Sequence, residues 1–208
     1  MASERSLFFY GRPYHLVFDR MNKASRQLVC ERVPEGSTVL DVGSGTGELA
    51  FALREKRSCQ VLGLDLSQRM IDFARERNPF GGVTFELKDA ATGLHELAEG
   101  SFDAAVLSQL LHEVPGYMQS ALLRSVTRVA GMTLLLDYAS PLPVWGPGAV
   151  PRLIEGTVGR DHHANFRSFV ASGGLVGLVD RAGLGAQVVE RHTYNAGTGQ
   201  LIMLSHRA

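Results

Sequence analysis

The stretch 38–53, TVLDVGSGTGELAFAL, constrains the fold of this chain more than any other part of the sequence. It begins with an apolar run at 39–42, which is short enough for a buried parallel strand. Three alternate glycines follow, and residues 48–53 then favour a helix. A strand that turns through glycines into a helix presents backbone N–H groups at a helix N-terminus, with no Cβ between them and a ligand. The stretch therefore predicts a loop that holds a nucleotide.

The spacing of the glycines narrows the kind of nucleotide. The phosphate loop of nucleoside triphosphatases ends in Gly-Lys-Ser/Thr, and this sequence has no such ending. The dinucleotide fingerprint GxGxxG would have its last glycine at position 48, which is Glu48. The pattern present is Asp-x-Gly-x-Gly-x-Gly. The alternative to a nucleotide-binding loop is a tight strand–helix turn in some other α/β protein.

The segment LDVGSGTG resembles motif I of the class I S-adenosylmethionine (SAM)-dependent methyltransferases. The resemblance implies that the loop passes under the amino acid end and the ribose of SAM, with Asp41 near the methionyl amino group. The loop residues expected to bind the cofactor are Gly43, Ser44, Gly45 and Gly47. SAM carries a sulfonium and an ammonium group in place of a pyrophosphate, so a carboxylate is tolerated beside it.

Two later segments extend the expected cofactor site. Asp65 ends a predicted strand about 20 positions after the first glycine, where an acid can accept both ribose hydroxyls; the alternative is a helix N-cap. The segment GLDLSQRMIDFAR resembles the family's next motif, which implies that Leu66 packs beside the adenine. The sequence KDA after the strand at 83–87 matches the family's adenine-binding position, so Asp89 would accept from the exocyclic amine and the backbone of Ala90 would serve the ring edge. A solvated loop aspartate is the alternative for Asp89.

The segment FDAAVLSQLLHEV resembles the family's motif at the end of the central fourth strand, where substrate and cofactor meet. It implies that Gln109 lies over the cofactor and that His112 faces the acceptor pocket, at the switch point of a doubly wound sheet. An imidazole has an unperturbed pKa near neutral, so His112 is the first candidate for a general base. The alternative is a structural histidine that bonds to a backbone carbonyl.

Two flanking regions complete the expected site. The resemblance predicts that residues 1–33 form a helical lid, with Tyr10 or Tyr14 near the sulfonium, where an aromatic face attracts a cation; the alternative is a helix that packs on the sheet edge. It also predicts that residues 139–175 form a helical insertion that builds the acceptor pocket. His163 is a further catalytic candidate there. We expect no metal, because the adjacent histidines 162 and 163 would point about 100° apart on a helix.

The C-terminal segments 187–192 and 200–204 alternate or run apolar and predict a terminal antiparallel pair. With the family resemblance, they predict an α/β fold with a doubly wound, seven-stranded, mostly parallel sheet. Its expected order is 3-2-1-4-5-7-6, with the last strand antiparallel and helices on both faces. We expect residues 1–208 to form a single domain, as a monomer or a homodimer.

Composition limits the partners. The formal net charge is zero, which gives no support for a nucleic-acid-binding surface. No apolar run approaches the length of a membrane helix, and the first residues do not open a signal peptide. Cys30 and Cys59 form no disulfide framework. These features predict a cytoplasmic protein with no integral membrane segment.

Together the segments predict a SAM-dependent methyltransferase that acts on a small-molecule acceptor and resembles the ubiquinone/menaquinone C-methyltransferases. The Asn/Asp-Pro-Pro-Tyr/Phe motif of amino-directed nucleic-acid and protein methylases is absent after the fourth strand, where SQLL stands. The expected chemistry is in-line displacement at the SAM methyl group, which leaves S-adenosylhomocysteine (SAH). Two alternatives stay open: a non-catalytic SAM-binding regulator or partner subunit, and a nicotinamide-dependent reductase.

Overall fold

A computed structural model describes residues 22–143 and 160–206 and contains a seven-stranded sheet of order 3-2-1-4-5-7-6. The strands are β1 (Thr38–Val42), β2 (Gln60–Asp65), β3 (Val83–Leu87), β4 (Phe102–Ser108), β5 (Ala130–Tyr138), β6 (Val188–Tyr194) and β7 (Gly199–Ser205). Neighbouring strands pair in parallel from β3 through β2, β1 and β4 to β5, and β7 runs antiparallel to both β5 and β6. The predicted sheet order and the reversed last strand are therefore confirmed.

Helices cover both faces of the sheet, because alternate strand residues point to opposite sides. In β1, Leu40 and Val42 belong to one apolar cluster and Val39 to the other. The helices are α1 (Lys23–Arg32), α2 (Glu48–Arg57), α3 (Gln68–Arg77), α4 (Ala90–Gly93), α5 (Gly116–Val129), α6 (Arg160–Ala171) and α7 (Gly174–Arg181). α1, α2 and α3 contribute to the Val39 cluster, and α5, α6 and α7 to the other, as a doubly wound sheet requires.

The bounds of β5 and α7 have local causes. β5 is longer than the apolar run 132–136, because its last residues pair with β7 as far as Tyr138. α7 begins at Gly174, directly after Gly173, which has a left-handed φ of +92°. Cys30 and Cys59 are free, buried thiols in the core. In the described parts of the chain, no helix has the length and apolar character needed to cross a membrane.

The parallel strands bring their carboxyl ends to one edge of the sheet. This edge carries the glycine turn after β1, Asp65 at the end of β2, Asp89 after β3 and His112 after β4. The lid and insertion expected from the sequence fall partly outside the described residues. Tyr10 and Tyr14 lie outside them, as does the proline-rich segment 144–159.

Candidate functional site

The glycine turn after β1 is held against β2 and opens outward. Gly43, Gly45 and Gly47 have φ values of +76°, +52° and +83°, a region that side chains disfavour. The Gly43 and Ser44 N–H groups donate to the Leu64 carbonyl at 2.8 and 2.9 Å. A Cβ at Gly45 would have no described atom within 4 Å. The turn therefore has a fixed inner side and an open outer side, where a ligand can approach the backbone.

Asp41 and Ser44 carry buried polar atoms that the described part of the chain leaves unsatisfied. Asp41 Oδ2 and Ser44 Oγ find no hydrogen-bond partner among the described residues. Burial, and secondarily the charge of Asp65, raises the pKa of Asp41 to about 7. Buried polar atoms are almost always hydrogen-bonded, so these two need a partner from outside the described residues. An ammonium group beside Asp41 would meet that need, and in this respect the turn fits the amino acid end of SAM.

Asp65 fastens the glycine turn from the end of β2. Its Oδ2 accepts from the Gly45 N–H at 2.8 Å, and its Oδ1 accepts from the Ser67 N–H at 2.8 Å. Burial raises the pKa of Asp65, and the backbone hydrogen bonds oppose that effect. Ser67, not Asp65, is the N-cap of α3, since its hydroxyl accepts from the Met70 N–H at 3.4 Å. The N-cap alternative for Asp65 is therefore wrong.

Asp89 and its neighbours continue the same edge. The Lys88 N–H donates to the Asp65 carbonyl at 3.0 Å, so the residues after β2 and β3 are adjacent. Asp89 caps α4, with Oδ1 accepting from the Ala91 N–H at 2.8 Å, while Ala90 is half-buried. Leu66 is 70% exposed, which leaves an apolar side chain uncovered next to these carboxylates. Asp65 and Asp89 thus share one edge and do not open onto opposite sides of the molecule.

The loop after β4 joins the glycine turn to His112. Gln109 has a φ of +55°, and its N–H donates to the Leu136 carbonyl at 2.8 Å. Leu110 packs on Gly43, where an added Cβ would lie 3.1 Å from Leu110 Cδ1. Gly43 therefore needs to be small for two reasons, its left-handed backbone and this close approach.

His112 and Asp137 form a buried pair at the ends of β4 and β5. Nδ1 of His112 lies 2.7 Å from Asp137 Oδ1, and the His112 N–H donates to Asp137 Oδ2 at 3.1 Å. The two residues are 3% and 0% exposed. A carboxylate can only accept, so Nδ1 donates the proton of this bond, and in the neutral ring the lone pair is then on Nε2. The Nδ1 partner of His112 is therefore the Asp137 carboxylate and not a backbone carbonyl.

An aromatic shell surrounds the His112 ring. The ring centroids of Tyr138, His162 and Phe166 lie 4.8, 5.5 and 6.2 Å away, each in an edge-to-face arrangement. His162 is the α6 histidine in ring contact with His112. His163 instead lies 6.4 Å from the Phe166 ring, and its buried Nδ1 has no partner in the described ranges.

Tyr194 is a polar neighbour that sequence reasoning missed. Its ring lies over Gly199, where a Cβ would come within 2.5 Å of the ring atoms. The hydroxyl is buried beside Gln109 and Asp137 and makes no hydrogen bond of good geometry within the described part of the chain. Burial, and then the Asp137 charge, raises the pKa of Tyr194. The glycine at 199, opposite a tyrosine in the terminal hairpin, was the only sequence signal for this contact.

Comparison with known proteins agrees with the architecture. Residues 39–131 match the family model described as a methyltransferase domain. A ubiquinone/menaquinone biosynthesis C-methyltransferase of Brucella anthropi is 29% identical over 188 residues, which span 81% of this chain and 69% of that protein. The matched domain contains Asp41, Asp65, Asp89 and His112 and ends before Asp137.

Solved structures share the fold at low sequence identity. A SAM-dependent methyltransferase from Aquifex aeolicus superposes with a TM-score of 0.61 and 17% identity, covering 89% of this chain and 95% of that chain. The magnesium protoporphyrin IX methyltransferase of Synechocystis, solved with bound SAH, gives a TM-score of 0.59 and 19% identity, covering 91% of this chain and 83% of that chain.

The glycine turn, the sheet order and these matches agree on one assignment. The non-catalytic and nicotinamide-dependent alternatives are not favoured by any of them. The methyltransferase domain at 39–131, the C-methyltransferase relative and the solved methyltransferase structures together support a SAM-dependent methyltransferase enzyme with SAM as its cofactor.

Proposed function

We propose that this methyltransferase acts on a small-molecule acceptor by in-line displacement, releasing SAH. The observation that carries the proposal is the buried His112–Asp137 pair, joined to the glycine turn through the contact of Leu110 with Gly43. The pair lies at the carboxyl ends of β4 and β5, the usual substrate position in doubly wound sheets. The Brucella relative, named for quinone biosynthesis, supports an acceptor of small-molecule size.

The proposed cofactor-binding residues lie along the carboxyl edge from β1 to β4. The unsatisfied oxygens of Asp41 and Ser44 support a cationic amino acid end at the glycine turn. Because the apolar side chain of Leu66 is uncovered, an adenine ring beside Asp89 would have a surface to pack on. The full proposed set is Asp41, Gly43, Ser44, Gly45, Gly47, Asp65, Leu66, Asp89, Ala90 and Gln109.

Bound SAM supplies a methyl group that the sulfonium already activates. The protein therefore has to align the acceptor with that methyl group and exclude water. His112 would accept the acceptor's proton at Nε2, while Asp137 holds the ring in the required tautomer and orientation. Tyr10, Tyr14 and His163 remain proposed catalytic candidates behind His112.

We also propose that the two flanking regions enclose the acceptor. Part of the 139–175 region supports this, because Phe166 of α6 packs near the His112 ring. In the 1–33 region, Val29 of α1 is fully buried in the core, so a lid role belongs to residues before α1. Together with the sheet, these regions would keep water away from the transferred methyl group.

The test is methyl transfer from methyl-labelled SAM into a fractionated cell extract. We expect label in the small-molecule fraction that depends on the protein. Asp65→Asn serves as the control. It keeps the shape of the side chain that binds the glycine turn, and it should lower the amount of label transferred. Label that enters only the protein fraction or only the nucleic-acid fraction would contradict a small-molecule acceptor.

A further inference from the structure

Three side chains on the His112 side of the site bring possible metal-ligand atoms together. One nitrogen or oxygen atom from each of His112, Glu113 and His162 lies within 4.8 Å of the other two. His112 and Glu113 belong to the turn after β4, and His162 belongs to α6. His162 therefore meets residues of the turn after β4 and does not share this cluster with its helix neighbour His163.

The turn and the helix that carry these atoms are fixed to each other. Asn165 Nδ2 donates to the Glu113 carbonyl at 2.8 Å. Asn165 lies about one helical turn after His162, so this bond holds α6 against the turn after β4 close to the cluster. The His112 and His162 rings meet edge-to-face at 84° with centroids 5.5 Å apart. The geometry is therefore set by backbone elements and does not depend on long mobile side chains alone.

Asp137 prepares His112 to be a ligand. Its carboxylate accepts from Nδ1, so the Nε2 lone pair is directed away from Asp137, and Glu113 Oε1 lies 3.9 Å from Nε2. A carboxylate on the far nitrogen is the usual outer partner of a metal-binding histidine, because it fixes the tautomer and makes the ligand more basic.

We propose that His112, Glu113 and His162 bind one divalent transition metal ion of the zinc class. Two imidazoles and one carboxylate are zinc ligands, whereas Ca²⁺ and Mg²⁺ prefer sets made of oxygen. Three protein ligands leave a fourth position open to water or to an acceptor atom. Ligand atoms around tetrahedral zinc are about 3.4 Å apart, so the cluster must contract by up to about 1.4 Å. The Glu113 side chain is 42% exposed and can rotate to do so.

Occupation of this site affects the proposed proton transfer. An ion bound at Nε2 uses the lone pair that would receive the acceptor's proton, so we expect zinc to slow methyl transfer. This consequence rests on the proposed function of His112, whereas binding of the ion does not. Binding and activity are therefore measured separately.

The binding experiment uses the full chain after treatment with a chelator, titrated with ZnCl₂ in a calorimeter. We expect one ion per chain with a Kd of about 1 µM or lower. Glu113→Gln and His162→Ala should each weaken binding at least about tenfold, a loss typical for removal of a ligand. His163→Ala is the matched control on the same helix and should bind like the wild type.

Other outcomes would overturn the assignment. Weak binding, at a Kd above about 100 µM, or an equal loss in His162→Ala and His163→Ala would contradict it. Co²⁺ substitution adds a check, because intense near-ultraviolet thiolate bands would assign the ion to Cys30 or Cys59 instead. Glu113→Gln changes a half-exposed side chain and keeps the test valid if His162→Ala fails to fold.

SAH titration and the methyl-transfer assay, both run on the same proteins, distinguish this inference from the proposed function. Zinc-binding protein without methyl transfer to small molecules contradicts only the proposed function. Protein that binds SAH and methylates small molecules but takes up no zinc contradicts only the metal site.

Discussion

Asp41 is a carboxyl group in surroundings that disfavour its charge. It is 2% exposed and lies between Gly63 of β2 and Val106 of β4 in the parallel register. With a pKa of about 7 it carries a proton below neutral pH in the ligand-free protein. A cationic ligand beside it favours the ionised form and lowers this pKa on binding.

SAM affinity should therefore depend on pH through Asp41. If only the ionised carboxyl binds the ammonium group, the association constant rises up to about tenfold per pH unit below about pH 7 and levels off above it. Calorimetry between about pH 5.5 and about pH 8.5 measures this. Asp41→Asn is the control, with weaker binding and a flatter profile. Equal wild-type affinity across the range would show that Asp41 does not face the cation.

His112 is the second residue whose chemistry is testable alone. In chelator-treated protein, His112→Ala should lower kcat by about 10²–10⁴-fold for an acceptor that must lose a proton. SAH affinity should stay within a few-fold of wild type, because the imidazole bonds to Asp137 rather than to the glycine turn. Single-turnover kinetics with the identified acceptor measures the effect. A kcat close to that of wild type would remove His112 as the base.

Among the elements, the glycine turn owes its shape to contacts on both sides. Asp65 binds it from β2, Leu110 packs on it from the β4 loop, and Phe85 of β3 lies under Gly47. A Cβ at Gly47 would lie 2.7 Å from Phe85 Cζ, whereas a Cβ at Gly45 would meet open space in the described structure. Both glycines have positive φ values.

Gly47→Ala should therefore destabilise the fold more than Gly45→Ala. The Gly45 variant has only backbone strain, about 1–2 kcal/mol, whereas the Gly47 variant adds a clash with an aromatic ring in the core, for a total of about 2–5 kcal/mol. Denaturant unfolding of both variants without ligand measures the difference. Equal losses would mean that Phe85 moves aside freely.

At the scale of the whole molecule, the site is formed by loops distant in sequence that meet along one sheet edge. A ligand that contacts the ends of β1, β2, β3 and β4 binds only the folded chain and stabilises it by mass action.

SAH should raise the unfolding temperature accordingly. At about 100 times its Kd, it adds about 2.7 kcal/mol, which corresponds to about 5–11 °C for a chain of this size. NADH at the same concentration is the control and should leave Tm unchanged. A larger shift with NADH would contradict SAM as the cofactor. Differential scanning calorimetry provides both values.

The sequence determined those parts of the fold that depend on neighbouring residues. The short apolar run at 39–42 marked the central strand β1, and the alternate glycines marked the turn after it, because burial and positive φ values limit the residue types locally. Asp65 could be placed in the same way, since it directly ends a strand. The order of the sheet required the family resemblance in addition.

Only the tertiary structure decided which side chains meet. His112 and Asp137 are 25 residues apart and pair because β4 and β5 are adjacent. Tyr194 reaches Gln109 and Asp137 because Gly199 lets its ring cross β7. Helix α6 presents His162, not His163, to His112. Local sequence limits the conformation of each segment, whereas the contacts between segments depend on sheet pairing and helix packing, which bring together residues that no sequence spacing connects.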